Sequence, residues 1–255
     1  MSVSLNKITT KGRALYLAYD QGLEHGPEVD FNDVNIDPLY IINIAKKGKY
    51  NGVVFQKGIA EKYNKEIKKS GIPLILKLNG KTKLVKDEPI SAQLATVGEA
   101  VSLGAKAVGF TIYIGSKYEE QMMEEFSKIQ REAHSKNIPV IAWIYPRGKA
   151  IKNAVSRENL SYSARTALEI GADIAKIQYG GKKDDLKWAV KSAGRTRIVI
   201  AGGVKKNERD FLKDVKDVMD SGAIGLAVGR NVWKSKDPLG LTKQIKDIIW
   251  SKTKN

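Results

Sequence analysis

Gly171-Ala172-Asp173-Ile174-Ala175-Lys176-Ile177-Gln178-Tyr179-Gly180-Gly181 is the stretch from which the rest of the chain can be read. A Gly-Ala pair opens it, a short apolar run follows, and a glycine pair closes it. Glycine accepts the left-handed conformation that ends many helices. A short apolar run bounded by turn signals reads as a strand covered on both faces. The same Gly-Ala junction recurs at Gly104-Ala105 and Gly222-Ala223, so a helix-then-strand unit repeats along the chain.

Working outward, apolar runs predict strands at 14–20, 52–56, 73–78, 105–112, 138–145, around Lys176, at 197–201 and at 223–228. Helices are predicted between them: 37–47, one ending at Ser70, 93–103, one carrying Leu160, Ala164, Ala167 and Leu168, one from about Lys183, 206–220, and a last one from about Pro238 to Ser251. Ser116-Lys117-Tyr118-Glu119 has the form of a capping box and opens a further long helix. Its apolar stripe is Tyr118, Met122, Phe126, Ile129 and Ala133. His134, late in that helix, reads as a surface residue. Gln21–Pro27 and Thr82–Pro89 read as loops. No linker-like stretch divides the chain, so residues 1–255 are expected to form one α/β domain, a single (β/α)8 TIM barrel. A doubly wound open sheet is the alternative, but no Gly-x-Gly-x-x-Gly follows the first strand.

Composition narrows the chemistry. The chain has 255 residues, 42% hydrophobic and 28% charged, with no cysteine and only two histidines, His25 and His134. Thiolate metal sites and three-histidine zinc sites are excluded, and no metal or other cofactor is expected. The N-terminus lacks the apolar core of a signal peptide and no run could span a bilayer, so a cytoplasmic protein without membrane partners is expected. Lys and Arg total 44 against 28 Asp and Glu, a net charge of +16, which favours anionic partners. The basic residues are dispersed, without the aromatic-basic pattern of RNA binders. Phosphorylated metabolites are therefore the expected partners rather than nucleic acid.

In such a barrel the active site lies at the C-terminal ends of the strands. Those ends carry Asp20, Lys57, Lys77 with Asn79, Trp143 with Tyr145 and Arg147, Lys176, Gly202-Gly203, and Gly229-Arg230. Period-two alternation places Ile174, Lys176 and Gln178 on one face, with Ala175 and Ile177 on the other. The small apolar pair suits the outer helices, so Lys176 should point into the barrel. A desolvated amine loses proton affinity and becomes a nucleophile suited to Schiff-base formation with a ketone; the alternative is a lysine reaching past the strand end into water. Trp143, Tyr145 and Arg147 share a face of the neighbouring strand, which could bring Tyr145 within proton-transfer reach of Lys176. Lys57 and Lys77 are rival nucleophiles by position. The glycines after the seventh and eighth strands suit a phosphate cradle, with Gly180-Gly181 able to join it and Arg230 to add charge.

These residues, with Ala18-Tyr-Asp-Gln-Gly-Leu-Glu-His-Gly-Pro27, Leu76-Lys-Leu-Asn-Gly80 and Trp143-Ile-Tyr-Pro-Arg-Gly148, resemble the archaeal-type class I fructose-bisphosphate aldolases, the DhnA family, over almost the full length. The resemblance implies a barrel that reversibly cleaves fructose 1,6-bisphosphate to dihydroxyacetone phosphate and glyceraldehyde 3-phosphate. It implies Lys176 as Schiff-base lysine, Tyr145 as acid/base, and Asp20 and Trp143 lining the reacting carbons. Gly202, Gly203, Gly229 and Arg230 match the family's phosphate site. Arg147 would reach the second phosphate, and Lys77 and His25 are further candidates for substrate contact. Homo-oligomers, often decamers, are implied as well. A related alternative is a 2-amino-3,7-dideoxy-heptulosonate synthase of aromatic biosynthesis, with a similar lysine and tyrosine. A distant one is a non-catalytic basic barrel that binds sugar phosphate or RNA.

Overall fold

The computed structural model describes residues 3–251. Eight parallel strands close on themselves: β1 (Ala14–Ala18), β2 (Gly52–Gln56), β3 (Leu74–Lys77), β4 (Ala107–Ile114), β5 (Val140–Pro146), β6 (Ile174–Ile177), β7 (Arg197–Ala201) and β8 (Gly225–Val228). Each pairs with its sequence neighbours, and β8 returns to β1 through Ala14↔Gly225 to Leu17↔Val228. Helices connect the strands and cover the outside, which is the (β/α)8 barrel. The three Gly-Ala junctions behave as the sequence predicts: Gly104, Gly171 and Gly222 take φ values of 83°, 80° and 92°, conformations in which a Cβ would be strained.

Alternation divides the apolar side chains into two layers. Tyr16, Val54, Ile75, Ile141, Trp143, Ile174 and Val199 fill the barrel, and Ile8 from the N-terminal segment closes its floor. Leu15, Leu76, Phe110, Ile144, Ala175 and Ile177 face outward against the helices. Met122, Phe126, Ile129 and Ala133 of the helix Glu119–Ser135 are buried in that outer layer, each large one contributing about 1.5–3 kcal/mol by leaving water.

Several local expectations are corrected. Gln21–Pro27 is not a loop, because the short helices Gln21–His25 and Pro27–Asp30 follow β1. The capping box expected at Ser116 is absent: Ser116 Oγ donates to the Pro89 carbonyl, and the Glu119 carboxylate accepts from Gly115 N–H. The box instead lies at Thr96 and Glu99, which start the helix at Val97 rather than near 93. Ala92–Gln93 pairs antiparallel with Asn79–Gly80 in a small extra ribbon. The helix expected up to Ser70 is split into Lys57–Lys62 and Asn64–Ser70. His134 is half-buried: its Nε2 lies 2.9 Å from Asp173 Oδ2, the same oxygen that accepts from Val140 N–H at 2.8 Å. That imidazole ties the helix to the start of β5 and is far from the strand ends that carry chemistry.

Candidate active site

At the C-terminal mouth of the barrel a cavity of about 160 Å³ is lined by Asp20, Glu24, His25, Trp143, Tyr145, Arg147, Lys176, Gln178, Gly202, Gly203, Gly229 and Arg230, among others. Cavities of ~150 Å³ hold a six-carbon ring such as benzene, so the reacting part of a small sugar fits. Among the described residues no three His, Asp or Glu side chains group as a metal site, and no helix is long and apolar enough to cross a membrane.

Lys176 lies on the inward face of β6 and is only 6% exposed. Burial pushes its ammonium below the usual lysine range; Asp20 and Glu24 oppose that shift, and Lys77 adds to it. The amine therefore gives up its proton more readily than an exposed lysine does, and only the uncharged form of an amine attacks carbonyl carbon. In register beside it on β5 is Trp143, whose ring centroid lies 4.9 Å from Lys176 Nζ. The indole reaches into the barrel because β4 carries Gly109 there, where any side chain would meet the ring.

Tyr145 sits one inward-facing position nearer the mouth than Trp143, a rise of about 6–7 Å along the strand. Desolvation, then Asp20 and Glu24, hold its phenol well above the ordinary tyrosine range, while Arg147 pulls the other way. Tyr145 is thus protonated at rest. The Arg147 guanidinium lies 5.8 Å from its ring centroid and 5.6 Å from that of Tyr113, the cross-strand neighbour. Asp20 follows Ala18 on the inward face of β1 and is nearly buried.

On the opposite side, the loop after β7 is held by Asn231, whose Nδ2 donates to the Gly202 and Val204 carbonyls at 2.7 and 2.9 Å. Arg230 donates to the Gly203 carbonyl at 3.3 Å. With these carbonyls engaged, the loop presents its glycine backbone to the cavity with no side chain in between, a setting suited to an anion. Residues Val228–Asn231 are not all loop: the helix Arg230–Trp233 begins directly after Gly229.

The other expected site residues divide. Gly180 and Gly181 lie outside the cavity lining: Gly180 packs against the Val155 carbonyl, and Gly181 is a turn glycine at φ 85°. Lys57 opens an outer helix, is ion-paired to Glu99 and Glu61, and does not line the cavity. Lys77 is fully buried beneath the cavity, with Nζ 3.4 Å from Glu24 Oε1, 3.2 Å from the Asn79 carbonyl and 5.5 Å from the Trp143 centroid. It does not line the cavity itself.

Glu24, Gln21 and Gln178 line the cavity although sequence reading assigned them no role. Glu24 and Gln21 were missed because their segment read as a loop; Gln178 shares the alternating face of Lys176, which was the available signal. Trp143 Nε1, Gln21 Oε1 and Gln178 Oε1 are buried without a protein partner among the described residues. Buried polar atoms usually have partners, so three unpaired ones around one cavity are groups placed to meet a polar ligand.

Comparison with known proteins agrees with this arrangement. The sequence signature of the DeoC/LacD family aldolases matches residues 14–235. A class 1 fructose-bisphosphate aldolase of Thermoproteus tenax is 48% identical over 243 residues, covering 94% of this chain and 90% of that protein. One from Halobacterium salinarum is 44% identical, covering 95% and 92%. A solved archaeal fructose-1,6-bisphosphate aldolase, with its catalytic lysine covalently bound to the carbinolamine intermediate, superposes with a TM-score of 0.91 at 45% identity. It covers 97% of this chain and 98% of the other.

Proposed function

The chain belongs to the DeoC/LacD family of aldolases, and from that premise we propose that it is a Schiff-base fructose-bisphosphate aldolase in which Lys176 is the nucleophile and Tyr145 the proton carrier. The observation that carries the reading is an inward, nearly buried amine of lowered proton affinity that lines the same cavity as a phenol held well above its ordinary pKa.

Lys176 Nζ attacks the C2 ketone of fructose 1,6-bisphosphate to give a carbinolamine. Tyr145 donates its proton to the departing hydroxyl, water leaves, and an iminium remains. The phenolate then takes the C4 hydroxyl proton, the C3–C4 bond breaks, and its electrons flow into the iminium to form an enamine. Glyceraldehyde 3-phosphate leaves. The enamine is protonated at C3, and water returns to C2 to release dihydroxyacetone phosphate and the free amine. Arg147, beside Tyr145, steadies the transient phenolate and is placed for the second phosphate. Gly202, Gly203, Gly229, Arg230 and His25 receive the first. Asp20 and the indole of Trp143 fix the carbons next to Lys176. The heptulosonate synthase alternative keeps the lysine and tyrosine but finds less support in the relatives.

A sugar bisphosphate is too highly charged to cross a bilayer unaided, so the enzyme must share a compartment with its substrate, and the cytoplasm is the one proposed. Homo-oligomeric assembly belongs to the same proposal: Val29, Val34, Ile36, Leu84 and Val85 are all more than half exposed, and light scattering should give a mass above that of one chain.

The deciding assay is cleavage of fructose 1,6-bisphosphate in the presence of a chelator. Wild type should turn over unchanged and Lys176→Met should be inactive; chelator-sensitive turnover, or an active Lys176→Met, overturns the reading.

A further inference from the structure

Asp30 is a buried carboxylate that no step above employs. It ends the helix Pro27–Asp30 and is 2% exposed. Its Oδ2 lies 2.8 Å from His25 Nδ1 and its Oδ1 3.2 Å from Arg230 Nη1. Arg230 donates through Nη2 to the Gly203 carbonyl. An imidazole, a carboxylate, a guanidinium and a glycine loop are thereby linked around one side of the mouth. Both partners of Asp30 line the cavity, and Asp30 itself does not.

We propose that Asp30 is a positioning residue for the substrate phosphate, holding His25 and Arg230 in the orientation in which both meet the anion at the Gly202-Gly203 and Gly229 loops. The inference rests on the aldolase reading of the site. A carboxylate this deep is costly to desolvate, and a packing role would be filled better by an apolar side chain of similar size. With Nδ1 engaged by Asp30, the imidazole has Nε2 left for a ligand. With Nη1 on Asp30 and Nη2 on Gly203, the guanidinium fork cannot swing into solvent.

Charge alone argues the opposite: neutralising Asp30 makes the mouth more positive, which favours an anion. Two considerations decide against that outcome. The mouth is open to solvent, where screening weakens a single charge. Releasing two side chains also forces the ligand to order them again on binding. Orientation should therefore outweigh charge.

The test is borohydride trapping of the Lys176 imine with dihydroxyacetone phosphate and with dihydroxyacetone, the same ketone without the anion. In Asp30→Asn the half-saturating concentration of dihydroxyacetone phosphate should rise about tenfold, while trapping with dihydroxyacetone changes by less than about twofold. Asp30→Glu should recover part of the loss. Equal weakening toward both ketones would make Asp30 merely structural and overturn the proposal, as would an unchanged response to the phosphorylated ketone. If Asp30→Asn does not fold, the same ratio measured on Asp30→Glu decides: selective weakening toward the phosphorylated ketone supports the proposal, and equal weakening or none overturns it. Wild-type protein trapped by neither ketone would instead overturn the Schiff-base reading, so the two failures are distinguishable.

Discussion

Adding one methyl group at Gly109 should disable the site without touching any group that reacts. A Cβ there would stand closer than 3.0 Å to Cζ3 and Cη2 of Trp143 and at 3.0 Å from Cε3, so the indole must retreat by about 1 Å or more to reach ordinary contact. The ring has little room, because it is almost fully buried in the barrel and lies against Lys176 on the next strand. Overpacking of this kind costs about 1–3 kcal/mol, or roughly 2–12 °C in melting temperature for a chain of this size. A shift of ~1 Å in the wall beside the nucleophile can lower turnover about a hundredfold. The assay is cleavage of fructose 1,6-bisphosphate by Gly109→Ala, together with a thermal melt. kcat should fall much more than KM changes, because the phosphates are held elsewhere. Wild-type kcat with an unchanged melting temperature would show that the indole does not locate the amine.

Tyr145→Phe should lower kcat by about 10²–10⁴ while the Lys176 imine still forms, more slowly, under borohydride; turnover within tenfold of wild type would remove Tyr145 from the mechanism. Lys176→Met should melt above wild type near neutral pH. The folded protein holds the Lys176 proton less tightly than the unfolded chain does, so the unfolded chain binds more protons and wild-type stability rises with pH from the depressed value up to about 10.5. The penalty that methionine removes is about 1.4 kcal/mol for each unit of depression, and the gap in melting temperature should close as pH passes 10. A gap that widens with pH would contradict the burial argument.

Much of this was legible in the sequence, for identifiable reasons. The barrel follows from repetition, since each Gly-Ala junction marks a helix end whose glycine takes positive φ, and that requirement is local. The inward aim of Lys176 follows from alternation: Ile174 packs inside the barrel, Ala175 and Ile177 outside. Much of what failed depended on contacts distant in sequence. Ser116 and Glu119 have capping spacing, but the Ser116 hydroxyl donates to the distant Pro89 carbonyl and accepts from Tyr118 N–H rather than from Glu119 N–H, while the Glu119 carboxylate accepts from Gly115 N–H. Lys57 and Lys77 look alike as strand-end lysines; only the partner Glu99 draws one outward, and Glu24 holds the other within the barrel. Asp30 has one partner, His25, in its own segment, but the other, Arg230, reaches it from the far end of the chain, so the link between them is not visible locally.

The central claim is that Lys176 forms the covalent bond to substrate. Borohydride reduction in the presence of dihydroxyacetone phosphate, followed by peptide mass mapping, addresses it directly. One adduct is expected, on the peptide containing Lys176; an adduct on Lys77 or Lys57, or none, would show that Lys176 does not bond to the substrate.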